Sequence, residues 1–505
     1  MRQTLPLTAL ITCLLLSLGV AKADQAILIG GGYNINGSQG QIELNVKWVQ
    51  EVLKQANLPV TTFFTDGDDP APDVHYQHRE SEDTGANALN ELAAQLEPVA
   101  RLFGDQGLNQ QRYRNHSVED VRGSTKADLL TQSLKDLISS APDDPSLIIY
   151  NGHGKQSKST VDKVTLELWD DTQLTANELH SILGKSNAPT RFVFTQCYSG
   201  GFHRLAYANP ESGLELSSNT RCGFTAESAY RLAEGCSASI NTDDYRDYTT
   251  YFFAALDGYD RQGEILAEDA DPDQDGTVSM REAHFYTLEN AHSTDLSRST
   301  SEDFLNRWEP WYLKWTSAKQ GLPNNEYAKL YRTLADKHNI SLSNNTAKII
   351  RSKLENYQKT SEELQSRRHE LRNDLRDVQH QLVQSATKQW PALAGPYTAQ
   401  FQSMAASGVL INVATWLREQ SAYETLVDLQ NEDDNIDGAL LDAERNATQM
   451  QKLFYFRKLA NLKSQLYQHG DASHISSYEK LVSCESAPLI FDEKKVLTTS
   501  TDVDK

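Results

Sequence analysis

The sequence predicts an α/β fold, in which a mostly parallel sheet is covered by helices on both faces, followed by an all-α helical hairpin or small bundle. Two observations predict this architecture. In the first half of the chain, short continuous apolar runs alternate with segments of helical periodicity, as in buried parallel strands joined by helices. Beyond about residue 325 the strand pattern ends, and segments rich in Gln, Glu, Lys, Leu and Arg carry helical periodicity alone.

The chain begins with a segment that predicts export. Arg2 gives a positive start, residues 5–20 form an apolar stretch, and residues 21–23 (Ala-Lys-Ala) fit the small-x-small rule for a cleavage site. The alternative is an uncleaved membrane anchor, but the uncharged core is shorter than the ~20 residues that span a bilayer. We therefore expect a signal peptide over 1–23 and a periplasmic or extracellular protein.

The elements of the predicted sheet follow one another along the chain. Apolar runs predict the strands, and glycines, acidic turns or polar loops separate them from amphipathic helices. The strands are expected at 25–30, 60–64, 146–150 and 191–195, and the helices at 42–53, 129–138 and 177–183. Residues 70–125 read as polar and irregular.

The second half of the chain predicts an antiparallel helical hairpin or small bundle. Helical periodicity extends over 346–390 and 425–468, and Pro391 and Pro396 punctuate the region between them. Aromatic residues crowd the segment 308–315 at helical spacing, which favours a packing role. We expect this cluster to form the seam between the sheet and the helices.

The charge of the chain bears on its partners. Asp and Glu outnumber Lys and Arg by 69 to 48, and every long stretch is balanced or acidic. A protein that neutralises a phosphate backbone needs a basic face, so we expect no nucleic-acid partner. No segment after residue 23 is long and apolar enough to predict a stable membrane span.

Four cysteines remain after the predicted cleavage site: Cys197, Cys222, Cys236 and Cys484. An exported protein meets an oxidising compartment, in which close pairs are often bridged. Cys222 and Cys236 are the natural pair because only fourteen positions separate them. Four cysteines allow three connectivities, and the sequence does not choose among them. The pairing of Cys222 with Cys236 would leave Cys197 free.

Two reactive residues follow directly on predicted strands. His153 comes after the strand at 146–150 and Cys197 after the strand at 191–195, so both are expected at the sheet edge where α/β proteins bind ligands. Gly154, and the glycine pair at 200–201, let backbone N–H groups approach a substrate carbonyl, as an oxyanion hole requires. The alternative for a cysteine at a strand end is a buried structural thiol.

This arrangement predicts nucleophilic acyl transfer. Cys197 as a thiolate would attack a peptide carbonyl, and His153 would handle the proton on the leaving amine. The N–H groups of Gly154 and Cys197 would hold the oxyanion.

The segments around these two residues resemble the caspase–legumain superfamily of cysteine peptidases. Residues 150–154 (Tyr-Asn-Gly-His-Gly) and 195–200 (Thr-Gln-Cys-Tyr-Ser-Gly) carry the resemblance, and residues 166–171 and 223–230 are similar to segments of the legumain branch. The resemblance implies a cysteine endopeptidase built on a caspase-like sheet.

The same resemblance implies a substrate pocket. The segment 223–230 is similar to the substrate-pocket strand of legumains, which implies pocket roles for Thr225 and Glu227. Asp247 stands where legumains keep an acidic pocket residue, and the alternative is a solvated carboxylate at a helix start. Thr195 departs from the legumain pattern, which has an acid two positions before the cysteine, so asparagine specificity is not carried over.

A separate acidic segment matches the EF-hand calcium loop position by position. Residues 271–282 have acids at the first, third and fifth positions, Gly at the sixth, an apolar residue at the eighth, Ser at the ninth and Glu at the twelfth. The predicted Ca²⁺ ligands are Asp271, Asp273, Asp275, Thr277, Ser279 and Glu282. We expect a structural ion between the α/β domain and the helical tail, and the alternative is an acidic surface turn.

A second acidic turn holds Asp66, Asp68 and Asp69. Its simplest interpretation is a solvated turn, and the alternative is a second metal site.

The leading functional hypothesis is an exported cysteine endopeptidase with a peptide or protein substrate, one structural Ca²⁺ and no organic cofactor. The alternatives are a non-enzymatic peptidase-like scaffold and a peptide transamidase. The C-terminal helices are a candidate surface for self-association. The expected division of the chain is a signal peptide (1–23), a peptidase-like domain (24–265), a calcium loop with its exiting helix (266–295), a helical domain (296–485) and a flexible tail (486–505).

Overall fold

The computed structural model describes residues 25–77, 88–104, 111–156, 163–211, 213–311, 321–395 and 398–488. The predicted signal peptide, most of the predicted tail and residues 312–315 of the aromatic cluster lie outside the described residues.

The strands are β1 (Gln25–Gly31), β2 (Val60–Phe64), β3 (Val74–Gln77), β4 (Gln111–Arg114), β5 (Val121–Gly123), β6 (Ser146–Gln156), β7 (Val164–Leu168), β8 (Thr172–Thr175), β9 (Thr190–Phe194), β10 (Arg221–Thr225) and β11 (Arg298–Ser299). The main sheet has the order β11-β10-β9-β6-β1-β2-β5, with β7 and β8 attached to β6. The pairs from β10 to β5 are parallel, whereas β11 and the β7–β8 extension are antiparallel.

The helices of the first half are α1 (Gly40–Gln55), α2 (Ala88–Phe103), α3 (Ala127–Ser140), α4 (Ala176–Leu183), α5 (Tyr248–Asp257), α6 (Met280–Asn290) and α7 (Thr300–Trp308). Alternate residues of β1 point to opposite faces of the sheet. Ala26 and Leu28 share a buried cluster with α1 and α5, whereas Ile27 and Ile29 share one with α3 and α4. The sheet is therefore covered by helices on both faces, which confirms the predicted class and is compatible with a caspase-like fold.

The helices of the second half are α8 (Glu326–Lys337), α9 (Thr346–Gln389), α10 (Ala399–Ala406), α11 (Val409–Arg418), α12 (Ser421–His469) and α13 (Ala472–Glu485). Ile350 near the start of α9 lies in one cluster with Met450 of α12, and Leu382 near the end of α9 packs with Leu426 near the start of α12. The two long helices are therefore antiparallel, as predicted. None of the helices in the described ranges combines the length and the apolar character that crossing a bilayer requires.

The expectation that residues 70–125 are irregular is wrong. β3 and β4 form an antiparallel pair in which His75 lies opposite Tyr113, and β5 adds to the edge of the main sheet. Val99 and Leu102 of α2 pack against the C-terminal helices. These strands are short and polar, so they lack the apolar run by which a buried strand is recognised. The helix packs on a part of the chain some 300 positions away, which no local pattern indicates.

The segment just after residue 296 packs on the edge of the sheet. β11 pairs with β10, and α7 follows β11 directly. Trp308, at the end of α7, is buried in a cluster shared by the sheet edge and the C-terminal helices. The predicted role of this part of the aromatic cluster as a seam agrees with that position.

The expected disulfide between Cys222 and Cys236 is wrong. Cys222 of β10 is bonded to Cys484 of α13, across a sequence separation of 262 residues, and Cys236 is a free thiol. Spacing favoured the nearer cysteine, but α13 packs on β10 and brings Cys484 to it. In the chain-entropy model, closing a loop of this length stabilises the fold by about 5 kcal/mol.

Candidate active site

The sheet brings His153 and Cys197 to the same edge. β6 and β9 are parallel neighbours, with Tyr150 opposite Phe194, so each of the two candidate residues lies three positions beyond this pair. The sequence suggested that the strand ends before His153, but it does not. It leaves the parallel sheet after Gly152 and continues beside β7, where His153 lies opposite Glu167.

The backbones of the two segments nearly touch at Gly154. A Cβ atom added to Gly154 would lie well under 3.0 Å from the carbonyl oxygen of Cys197 and from the side chain of Gln196. Only glycine fits this approach. The predicted role of Gly154 therefore has a steric reason in addition to the electrostatic one.

His153 is held through one ring nitrogen. Its Nε2 atom lies 2.8 Å from the carbonyl oxygen of Gly37 and 2.7 Å from Oε1 of Gln39. The ring meets Tyr33 edge to face, with 5.3 Å between the centroids. Burial lowers the pKa of His153, and the hydrogen bond to Gly37 opposes that effect. The imidazole is therefore neutral at pH 7.

Cys197 lies against a loop that follows β10. Its Sγ atom accepts a hydrogen bond from the backbone N–H of Ala233 at 3.4 Å and lies 3.9 Å from the carbonyl oxygen of the same residue. Burial raises the pKa of the thiol, and the hydrogen bond from Ala233 lowers it in part. Neither nitrogen of His153 is hydrogen-bonded to Sγ, so the resting pair is a neutral thiol and a neutral imidazole.

The residue after Cys197 has a strained backbone. Tyr198 adopts the left-handed conformation, with φ of 59°, which bulky residues rarely adopt. Its N–H donates to the carbonyl of Arg231 at 2.9 Å. Within the described residues, the N–H of Cys197 donates to no other residue, although it lies close enough to its own Sγ to lower the thiol pKa.

The 227–236 loop, which contains Ala233, is attached to the C-terminal helices. Glu234 forms an ion pair with Arg445 of α12, and both side chains are largely buried. The Arg231 guanidinium donates to the Thr448 hydroxyl at 3.3 Å and to the carbonyl of Thr294 at 2.9 Å. The long helix therefore supports the loop that covers the thiol.

The three predicted pocket residues are buried and hydrogen-bonded to protein groups. The Thr225 hydroxyl lies 3.2 Å from Nε2 of His203 and donates to the carbonyl of Glu227 at 3.0 Å. The Glu227 carboxylate accepts hydrogen bonds from the N–H groups of Ser228 and Leu296. All three side chains are at most 2% exposed, so none lines an open cleft in this conformation.

Asp247 immediately precedes α5, but its carboxylate does not cap that helix. It accepts hydrogen bonds from Gln41 at 3.3 Å, Asn45 at 3.0 Å and Thr250 at 2.8 Å. Asp247 therefore ties α1 to α5, and it is not the solvated carboxylate considered above.

The calcium-loop segment has the backbone that such a loop requires. Gly276, at the sixth position, has φ of 86°, and its N–H donates to Asp271 at 2.9 Å. Carboxylate oxygens of Asp271, Asp273 and Asp275 lie within 4.8 Å of one another. Ser279 and Glu282 form a capping box at the start of α6. Three of the four predicted carboxylate ligands therefore lie together and fit a hard cation with oxygen ligands, whereas Glu282 accepts a hydrogen bond from the N–H of Ser279.

The acidic turn after β2 forms a different cluster from the one that the sequence suggested. Asp68 and Asp69 are exposed, whereas Asp66 lies within 4.8 Å of Asp73 and His116. Burial raises the pKa of Asp66 to about 7, with a further contribution from Asp73. Both oxygens of Asp73 already accept hydrogen bonds from His116, so we assign no metal to this cluster.

Three residues near the thiol could not be found from the sequence. Gln39 contacts His153, Ala233 contacts Cys197, and the buried Asp295 accepts a hydrogen bond from the N–H of Glu234 at 2.7 Å. Burial raises the pKa of Asp295 well above its ordinary value. These residues lie in loops or at a helix start, where no periodic pattern marks them.

No protein-family model matches the chain, and no curated protein matches it.

Proposed function

We propose that the chain is an exported cysteine endopeptidase of the caspase–legumain type, in which Cys197 is the nucleophile and His153 the general base. The observation that carries the proposal is the meeting of the two segments at one sheet edge, with Gly154 against the carbonyl of Cys197. The N–H of Cys197, which donates to no other described residue, supports an oxyanion site.

The chemistry follows from the neutral resting pair. As Sγ of Cys197 attacks a peptide carbonyl, its proton passes to His153, and the oxyanion is held by the N–H of Cys197. The tetrahedral intermediate then collapses, the C–N bond breaks, and the imidazolium returns the proton to the leaving amine. A water molecule, deprotonated by the same imidazole, then attacks the thioester carbonyl, the C–S bond breaks to release the carboxylic acid, and the imidazolium returns the proton to Sγ of Cys197.

The lowered pKa of His153 and the raised pKa of Cys197 set the pH dependence. Hydrolysis should fall only below the ordinary imidazole value of 6.5, because the base becomes protonated there. Alkylation of free Cys197 should continue to rise above the ordinary thiol value of 9.0.

The decisive test is the C197A variant with a peptide library as substrate and a peptidyl acyloxymethyl ketone as label. We expect roughly a 1,000-fold or greater loss of hydrolysis, and no labelling. The C236S variant, which removes the other free thiol, should keep wild-type hydrolysis and wild-type labelling. Equal hydrolysis by C197A and wild type, or labelling of Cys197 no faster than that of a free cysteine, would refute the proposal.

A non-enzymatic scaffold is the second candidate. The contact of Ala233 with Sγ and the burial of Thr225, Glu227 and Asp247 favour it, because Ala233 already occupies one side of the thiol and none of the three predicted pocket residues is open to a substrate. The same experiment separates the two. A scaffold predicts no hydrolysis by the wild-type protein and no selective labelling of Cys197.

We further propose that residues 271–282 bind one structural Ca²⁺. Burial raises the pKa of Glu282, hydrogen bonding with Ser279 lowers it, and the neighbouring Asp273 and Asp271 raise it further. A cation would relieve the repulsion among these carboxylates. α6, which begins inside the loop, packs Met280 and Ala283 into the sheet core and pairs Arg281 with Glu485 of α13. An ion here would stabilise both halves of the molecule.

Calcium removal should therefore lower stability. At a free Ca²⁺ concentration 100 times the Kd, binding adds about 2.7 kcal/mol to the free energy of unfolding. Scanning calorimetry of the wild-type protein should show a fall in Tm on chelation, and D271N should show the low Tm with or without Ca²⁺. E264Q alters an exposed carboxylate outside the loop and should respond like wild type. A Tm unchanged by chelation would exclude the site.

A further inference from the structure

Gln39 occupies an unusual position for the residue that begins a helix. It precedes α1, and its carbonyl accepts hydrogen bonds from the N–H groups of Ile42 and Glu43. Residues in this position are usually short and polar, and their side chains accept a hydrogen bond from the first turn. The side chain of Gln39 makes no such bond and extends to His153 instead.

The contacts of His153 define its tautomer. The carbonyl oxygen of Gly37 can only accept a hydrogen bond, so Nε2, 2.8 Å away, must carry the proton. Oε1 of Gln39 is a second acceptor, 2.7 Å from the same nitrogen. In a neutral imidazole with a proton on Nε2, Nδ1 has the lone pair. Within the described residues Nδ1 has no hydrogen-bond partner, so it is free to accept a proton.

We propose that Gln39 is a positioning residue for His153. This inference rests on the proposed peptidase function. Together with the Gly37 carbonyl, the Gln39 amide fixes the Nε2–H tautomer and makes Nδ1 the atom that receives the thiol proton of Cys197. The side chain of Gln39 therefore contacts the proposed base instead of capping its own helix.

Gln39 also acts on the charged form of the base. When Nδ1 takes the proton, the imidazolium lies in a buried site, and the hydrogen bond to Oε1 strengthens because its donor is now ionised. The other groups that face this ring are Glu167 of β7, which favours the charged form, His75 of β3, which disfavours it, and the aromatic ring of Tyr33. The carboxylate of Glu167 lies on the neighbouring strand and does not contact either ring nitrogen in a hydrogen bond.

The variants Q39A and Q39E separate positioning from simple packing. Q39A removes one of the two acceptors, so we expect kcat to fall roughly 10- to 100-fold with KM and Tm little changed. Q39E places a negative charge beside Nε2, so the pKa of His153 should rise by about 1 unit or more. The acid limb of the pH–rate profile would then move to higher pH by the same amount. N36A, in the same loop but exposed, is the matched control and should behave like wild type.

A second measurement does not depend on peptide hydrolysis. In protein labelled with ¹⁵N-histidine, the signals of His153, assigned with H153Q, should show the Nε2–H tautomer in wild type. Q39A should keep this tautomer, because the Gly37 carbonyl remains, but its Nε2–H proton signal should shift upfield since one of the two acceptors is lost. Two results would overturn the positioning role: an Nδ1–H tautomer in the wild-type protein, or a Q39E variant whose pH–rate profile has the same acid limb as wild type. If the wild-type protein hydrolyses no peptide but the Nε2–H signal of His153 shifts in Q39A, the peptidase proposal fails while the assigned contact stands.

Discussion

Replacing Gly154 with alanine should strongly reduce the proposed peptide hydrolysis while leaving the protein folded. The added Cβ would lie well inside van der Waals distance of the Cys197 carbonyl oxygen, and both atoms belong to segments fixed by the sheet. The segment that carries the thiol must therefore move, and a shift of about 1 Å in a catalytic group can cost 100-fold in rate. We expect a loss of at least roughly 100-fold in kcat/KM, measured with the best library substrate.

The matched control is G438A, on the long helix α12. Nothing lies within 4 Å of the Cβ that this change adds, and alanine is the better helix former by about 0.8–1.0 kcal/mol. G438A should keep full activity and be slightly more stable than wild type. If G154A retained wild-type activity, the close approach of the segments that carry His153 and Cys197 would be contradicted.

The largest effect on stability is expected at Glu485, the last residue of α13. Its carboxylate is fully buried and accepts hydrogen bonds from Arg281 at 2.6 Å, from the N–H and hydroxyl of Ser301 and from the hydroxyl of Thr300. Truncation in E485A leaves the buried Arg281 guanidinium with Glu326 as its remaining ion-pair partner. Breaking a buried pair in this way typically costs roughly 3–5 kcal/mol, which chemical denaturation should measure.

An exposed ion pair provides the comparison. Glu363 pairs with Lys359 on α9, and both side chains are mostly in solvent. E363A should change the free energy of unfolding by less than about 0.5 kcal/mol, as exposed helix pairs generally do. If E485A and E363A lowered the free energy of unfolding equally, the Arg281 network would contribute little to joining the two halves.

The sequence contained enough information for the sheet and the long helices because their patterns are local. Continuous apolar runs indicated β1, β2, β6 and β9, and uninterrupted periodicity indicated α9 and α12. The placement of His153 and Cys197 at one edge also followed, since parallel strands put their carboxyl ends together. That inference required only the order of the strands and the residues that follow them.

The remaining features depend on contacts between distant parts of the chain. The partner of Cys222 is set by the packing of α13 on β10, and spacing alone favoured the wrong cysteine. The contact of Gln39 with His153 depends on the path of the glycine-rich loop into α1. No hydrophobic periodicity in the sequence indicates that path. The loop over Cys197 is fixed by Arg445 on α12, more than 200 positions away.

The bond between Cys222 and Cys484 has a consequence for the fate of a nicked chain. It joins β10, the strand beside β9, to the final helix of the described chain. A single cut anywhere between these cysteines would leave two fragments that remain one covalent species. Separating the helical half from the sheet would then take two different reactions, cleavage of a peptide bond and reduction of a disulfide. A processed protein would keep its mass on a non-reducing gel and reveal its two fragments only after a thiol is added.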